Sequence, residues 1–102
     1  MQAYELSKDA EEDLREVARY TLKKWGKEQL AEYRQGLKET FHAIGVQDIV
    51  ARQFSKNYPQ LRVTKYRYHY IFYLAEGVEK PIIIGVIHER RDIVNQLAGR
   101  LT

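Results

Sequence analysis

The chain contains no cysteine, which excludes disulfides, thiolate zinc sites and cysteine nucleophiles. No window approaches the roughly 18 apolar residues that span a bilayer. The opening residues, MQAYELSKDAEEDL, lack the positive segment followed by an apolar stretch that marks a secretory signal. Both absences lead to the expectation of a soluble protein in a reducing cytoplasm, without contact to a membrane. No internal repeat, low-complexity stretch or linker interrupts the sequence. At 102 residues there is room for one domain, residues 1–102, with one ordinary core.

What is present is a folded protein's balance of 44% apolar and 30% charged residues. The net charge of +3 is unevenly spread: residues 1–51 carry −2 and residues 52–102 carry +5. A basic half favours acidic partners, nucleic acid or an acidic protein segment, through its summed potential.

Along the chain, AYEL is a short strand candidate, and Ser7 or Asp9 offers the N-cap of a helix over residues 8–25. Asp9, Glu11, Glu12 and Asp13 stand where the helix dipole favours negative charge, and are read as dipole partners. Ala10, Leu14, Val17, Ala18, Thr21 and Trp25 keep the helical period, so Trp25 is read as core and Gly26 as the stop. The stretch KEQLAEYRQGLKETFHAI resumes the period with Leu30, Tyr33, Leu37, Phe41 and Ile44 before Gly45 ends it. Two helices this close form an antiparallel hairpin. Gly36 in the second costs about 1 kcal/mol relative to alanine, and is read as permitting close packing.

Residues 46–60, VQDIVARQFSKNYPQ, show no clean period and are read as a loop with room for one helical turn. The runs LRVTKY, YHYIFYLA and PIIIGVIH are rich in β-branched and aromatic residues and read as three strands, the last two separated by the turn EGVEK. Tyr68, Tyr70, Phe72 and Leu74 point to one face of the middle strand, and His69, Ile71 and Tyr73 to the other. DIVNQLAGRL has helical spacing, with Asp92 or Arg91 at its mouth. The expected fold is α+β in the order β-α-α-β-β-β-α: a helical hairpin packed on a mostly antiparallel sheet, with a short C-terminal helix.

The stretch VIHERRDI, Val86 to Ile93, raises the functional question. A histidine with two arginines can hold a phosphate or perform acid–base chemistry on RNA. It can equally close a strand, with Arg90 and Arg91 solvated or paired with Glu89 or Asp92. Tyr66, Tyr68, Tyr70 and Tyr73 are candidates for stacking on bases or for half-buried strand positions; Tyr73 is read as buried, Tyr68 and Tyr70 as a partner surface. Glu76 and Glu79 are too isolated for a carboxylate pair, and no spacing of His, Asp and Glu suggests a metal site.

The element order, with YTLKKWGKEQLAEY in the hairpin, YHYIFYL on a strand and IHERRDIVNQL at the end, resembles the ParE branch of the RelE/ParE toxin superfamily over nearly the whole chain. The resemblance implies the toxin half of a type II toxin–antitoxin pair. The ParE branch is associated with inhibition of DNA gyrase, and the RelE branch with mRNA cleavage on the ribosome. The fold cannot choose between these activities. RelE-like ribonucleases use arginines and lysines of the sheet with a tyrosine or histidine near the C-terminal helix. Here Arg62, Lys65, Arg67, His88, Arg90 and Arg91 could supply charge. The tyrosine common in RelE-type chains after the Arg-Asp-like junction is replaced by Ile93 and Val94, which favours ParE.

The resulting expectation is a non-enzymatic gyrase inhibitor, without cofactor or catalytic residue, causing growth arrest. It would be neutralised in a hetero-oligomer by a ParD-like antitoxin that lays an amphipathic helix and an extended segment, acidic to match the basic half, over the sheet and the helical hairpin, and it would touch DNA only indirectly through gyrase. Its partner-contacting residues would be Arg62, Tyr68, His69, Tyr70, His88, Arg90 and Arg91. The alternative is a ribosome-dependent mRNA endonuclease using His88 or His69 with Arg62, Arg90 and Arg91.

Overall fold

The computed structural model describes residues 2–75 and 78–101. In chain order the elements are β1 (Glu5–Leu6), α1 (Lys8–Trp25), α2 (Lys27–Gly45), β2 (Arg52–Ser55), β3 (Tyr58–Tyr66), β4 (His69–Leu74), β5 (Ile82–His88) and α3 (Ile93–Ala98). They form a five-stranded sheet in the order β1-β5-β4-β3-β2, antiparallel except where β1 runs parallel to β5.

Local chemistry sets the helix limits. Ser7 caps α1, its Oγ accepting the Ala10 N–H at 3.1 Å, and Lys23 and Lys24 occupy the last turn, where the dipole favours cations. Gly26, at φ +92°, serves both helices: its N–H donates to Leu22 and Thr21, and its carbonyl accepts from Leu30 at 3.1 Å. Only glycine enters that backbone region cheaply, so the hairpin turns within one residue. Gly36 does permit close packing, since a Cβ there would overlap the hydroxyl and ring of Tyr66. Asp92 is the cap of α3, accepting from the Asn95 N–H.

Apolar side chains leave the sheet on both faces. Ile71, Tyr73, Ile83 and Val86 pack against Ala10 and Val17 of α1 and Tyr33, Leu37, Phe41 and Ile44 of α2. Leu61, Val63, Phe72, Ile84 and Ile87 pack on the opposite side against Leu97 of α3, with Ile93 and Leu101 beside it. The alternation expected for β4 holds.

Three expectations need correction. Residues 46–60 are not a loop: they contain β2 and the first residues of β3. β2 is an edge strand, so only one side of it needs apolar residues, and Pro59 precedes the first β3–β4 pair, Leu61 with Leu74, where it costs the ladder no hydrogen bond. Trp25 is not core but 61% exposed, with the Lys24 ammonium 5.6 Å from its ring. Asp13 is not a dipole partner: it accepts the Val86 N–H at 2.9 Å and binds Arg100. Of the turn expected at residues 76–80, Glu76 and Gly77, and with them the reading of Glu76, lie outside the described residues.

Candidate functional site

The β3–β4 connection and the end of β5 lie side by side, tied by a hydrogen bond from the Glu89 N–H to the Tyr68 carbonyl at 2.9 Å. His69 and His88 are register partners across β4 and β5. Their rings meet edge to face with centroids 5.1 Å apart. Beneath them, Tyr33 of α2 places its hydroxyl 2.6 Å from His69 Nδ1 and 3.3 Å from the Tyr66 carbonyl. Burial, and then the neighbouring His88, push the His69 pKa down to about 4; burial first pushes the Tyr33 phenol up to about 12. Near neutral pH, His69 and Tyr33 therefore form an uncharged, hydrogen-bonded pair.

His88 is held from its other side, its Nδ1 accepting the Arg90 N–H at 3.1 Å. That bond places the proton of the neutral ring on Nε2. Tyr68, 60% exposed, lies nearly parallel to this ring at 6.5 Å. Arg90 and Arg91 are exposed. Lys65 and Glu89 form an ion pair across the same end of the sheet, which raises the lysine pKa and lowers that of the glutamate.

Next to the histidines a cleft of about 250 Å³ opens between α1 and β5, lined by Asp13, Glu16, Tyr20, His69, His88, Arg91 and Gln96 among others. The structure thus gathers Tyr68, His69, His88, Arg90 and Arg91. It places the remaining two sequence candidates elsewhere. Tyr70 faces the α3 side beside Phe72, under the Lys65 ammonium at 5.2 Å. Arg62 lies opposite Tyr73, four positions along β3 from Tyr66, about 13 Å away at strand spacing. There it lines a separate cleft with Ile44, Gln47 and Ile49.

Sequence reasoning missed Tyr33, which was read only as a helix-core position, and the Arg100–Asp13 pair. It assigned no residue to the surface of the hairpin, over which, together with the sheet, the antitoxin is expected to lie. Between α1 and α2 runs a groove of about 400 Å³ whose floor includes Leu14, Ala18, Leu30, Leu37 and Phe41, and whose rim carries Arg15, Arg19, Arg34 and Lys38. The one sequence signal for it was basic residues flanking the apolar stripe. Among the described residues no three His, Asp or Glu side chains cluster as metal ligands, and no helix is long and apolar enough to cross a membrane.

Comparison with known proteins agrees with this architecture. Residues 4–93 match the family described as the ParE toxin of the type II toxin–antitoxin system parDE. The chain is 34% identical to Toxin ParE of Escherichia coli over 101 residues, covering 99% of this chain and 98% of that protein. A solved structure of the chromosomal ParDE system from P. aeruginosa superposes with a TM-score of 0.70 at 16% identity, covering 86% of this chain and 96% of the other, and shares the fold. With the family model matching from Tyr4 to Ile93 and a relative 34% identical over nearly the whole of both chains, this chain belongs to the ParE toxin family of type II toxin–antitoxin systems.

Proposed function

We propose that this chain inhibits DNA gyrase, holding the enzyme on cleaved DNA and so arresting replication and growth, and that a ParD-like antitoxin neutralises it. Family membership supports the toxin role, and ParE toxins are in general not enzymes. The observation that carries the non-enzymatic reading is the condition of His69. A general acid or base must exchange protons near the working pH within reach of its substrate. His69 is half-buried, bonded to Tyr33 and depressed to about 4. Its partner His88 already accepts a backbone N–H at Nδ1. The outward groups are Tyr68, Arg90 and Arg91, and tyrosine and arginine are the types that interfaces concentrate at their energetic centres.

The hairpin groove suits the antitoxin. An amphipathic helix can lay its apolar face on Leu14, Ala18 and Leu30 while acidic residues meet Arg15, Arg19, Arg34 and Lys38. The toxin would then act as a free protein and be stored as a hetero-oligomer.

The deciding experiment is a purified gyrase supercoiling assay beside an in vitro translation assay read for mRNA cleavage. Accumulated cleaved DNA with intact mRNA is the expected result, weakened when Arg90 and Arg91 are both changed to glutamate in a protein that still folds. Cut mRNA with unaffected gyrase, abolished by His88→Ala, would replace this proposal with the ribonuclease.

A further inference from the structure

Arg67 sits at φ +50°, a left-handed conformation rare for residues other than glycine and asparagine. It occupies the two-residue connection between β3 and β4, exposed, with its guanidinium 5.6 Å over the Tyr66 ring. Arg90 and Arg91 are exposed on the adjoining connection. None of the three makes an ion pair among the described residues. The carboxylates nearby are already engaged: Glu89 by Lys65, Asp92 by the Asn95 amide and Asp13 by Arg100. Glu16 is the other carboxylate lining the adjacent cleft.

Tyr68, which follows Arg67 in the chain and whose carbonyl accepts the N–H of Glu89 next to Arg90, is 60% exposed and nearly parallel to His88. Repeated cations around an open aromatic face suit a chain that alternates phosphates with stackable bases. A duplex keeps its bases stacked on one another, and an acidic peptide would use the arginines but gain little from a flat ring. We propose that this end of the sheet binds single-stranded DNA directly, in place of the indirect contact through gyrase that the family resemblance implies, with Arg67, Arg90 and Arg91 on phosphates and a base on Tyr68. The choice of DNA over RNA rests on the gyrase proposal; the choice of a single strand does not.

The test uses the full-length protein and fluorescein-labelled dT12, with rU12, a 12-base-pair duplex and deca-glutamate as competitors, read by anisotropy at several salt concentrations. Three phosphate contacts give a slope of log affinity on log salt of about −2. Replacing the three arginines together (Arg67→Asn, Arg90→Gln, Arg91→Gln) should bring that slope near zero. Tyr68→Ala should weaken dT12 by about tenfold or more while leaving the slope unchanged, as loss of stacking without loss of charge does. All four positions are exposed, and thermal unfolding verifies that each variant folds.

Equal affinity for the duplex, preference for rU12, or displacement by deca-glutamate with Tyr68→Ala silent would each overturn the proposal, the last in favour of an acidic protein segment. The gyrase assay on the same preparation separates the two proposals. Gyrase inhibition without dT12 binding removes this one alone. Preferential dT12 binding without gyrase inhibition supports the DNA-binding face and removes the gyrase function.

Discussion

Arg100 and Asp13, 87 residues apart, meet through hydrogen bonds of 2.6 and 3.1 Å at the free edge of β5. In the β4–β5 register Tyr73 opposes Ile83 and Phe72 opposes Gly85, so Ile84 is the extra residue of a bulge. Beyond the two residues of β1, no strand among the described residues pairs with this edge of β5. Asp13 accepts the Val86 N–H at 2.9 Å and Arg100 donates to the Ile84 carbonyl at 3.0 Å, so the ion pair satisfies the polar groups that a longer β1 would have taken. It also ties α1, on one face of the sheet, to the segment after α3, on the other.

Removing one partner of this pair leaves the other charge, 12% exposed, without compensation. Asp13→Ala or Arg100→Ala should each destabilise the fold by about 3 kcal/mol. In a chain of this size that is a fall in melting temperature of roughly 15 °C. The double variant should lose much less than the sum of the two. Additive losses in a double-mutant cycle would mean that the two side chains act independently.

Gly36→Ala sets two effects against each other. Alanine favours an exposed helix by about 1 kcal/mol, but its Cβ would occupy the place of the Tyr66 ring. Overpacking of this kind costs about 1–3 kcal/mol, so the single variant should be less stable than the parent by urea unfolding. In a Tyr66→Ala background the sign should reverse. A stabilising Gly36→Ala in the parent would show that the Tyr66 ring moves aside at no cost.

The pH dependence of stability follows from His69. Its folded pKa, about 4, lies below the ordinary 6.5 because burial, and then His88, disfavour the charged ring. A base depressed in this way contributes its full stability above about pH 6.5 and loses it as pH falls toward 4, where the unfolded chain binds the proton and the folded one does not. With some solvent screening the loss is about 2–3 kcal/mol. Urea midpoints of the parent and of His69→Gln should therefore converge between pH 7.5 and 4.5. Parallel curves would mean that His69 titrates alike in the folded and unfolded chains.

The elements with strong periodicity were legible. The hairpin and the three central strands were readable because each buries a continuous stripe; α3 was readable from its Asp92 cap and the Ile93–Leu97 spacing, although Val94, at core spacing in the sequence, is 69% exposed. β2 was not, because an edge strand with Phe54 packed inward leaves too little pattern to see. In the candidate site, the sequence brings His88, Arg90 and Arg91 together by adjacency, and the strand pairing adds Tyr68 and His69. Nothing local in the sequence could separate Arg62 from them, since β3 is long enough to put it at the other end of the sheet. Tyr33 and Asp13 were hidden for a different reason. Each looks satisfied by its own helix, and only the packing of that helix on β4 and β5 reveals its bond to His69 or Val86.

If antitoxin and target use different faces, as proposed, they should respond to different substitutions. The hairpin groove and the Tyr68 end of the sheet share no lining arginine: Arg15, Arg19 and Arg34 belong to the first, Arg91 to the second. Reversing Arg15 and Arg19 to glutamate should weaken the antitoxin about tenfold, mainly by slowing association and more strongly at low salt, as rim charges do. Ala18→Asp, which puts a charge on the apolar floor, should act through faster dissociation. Gyrase inhibition by these variants should match the parent, whereas the Arg90→Glu, Arg91→Glu protein should lose inhibition and keep its antitoxin. Surface-based binding kinetics against a ParD-like antitoxin, run beside the supercoiling assay, reads both. Loss of both partners in either set of variants would place antitoxin and gyrase on one overlapping face and make neutralisation a matter of direct competition.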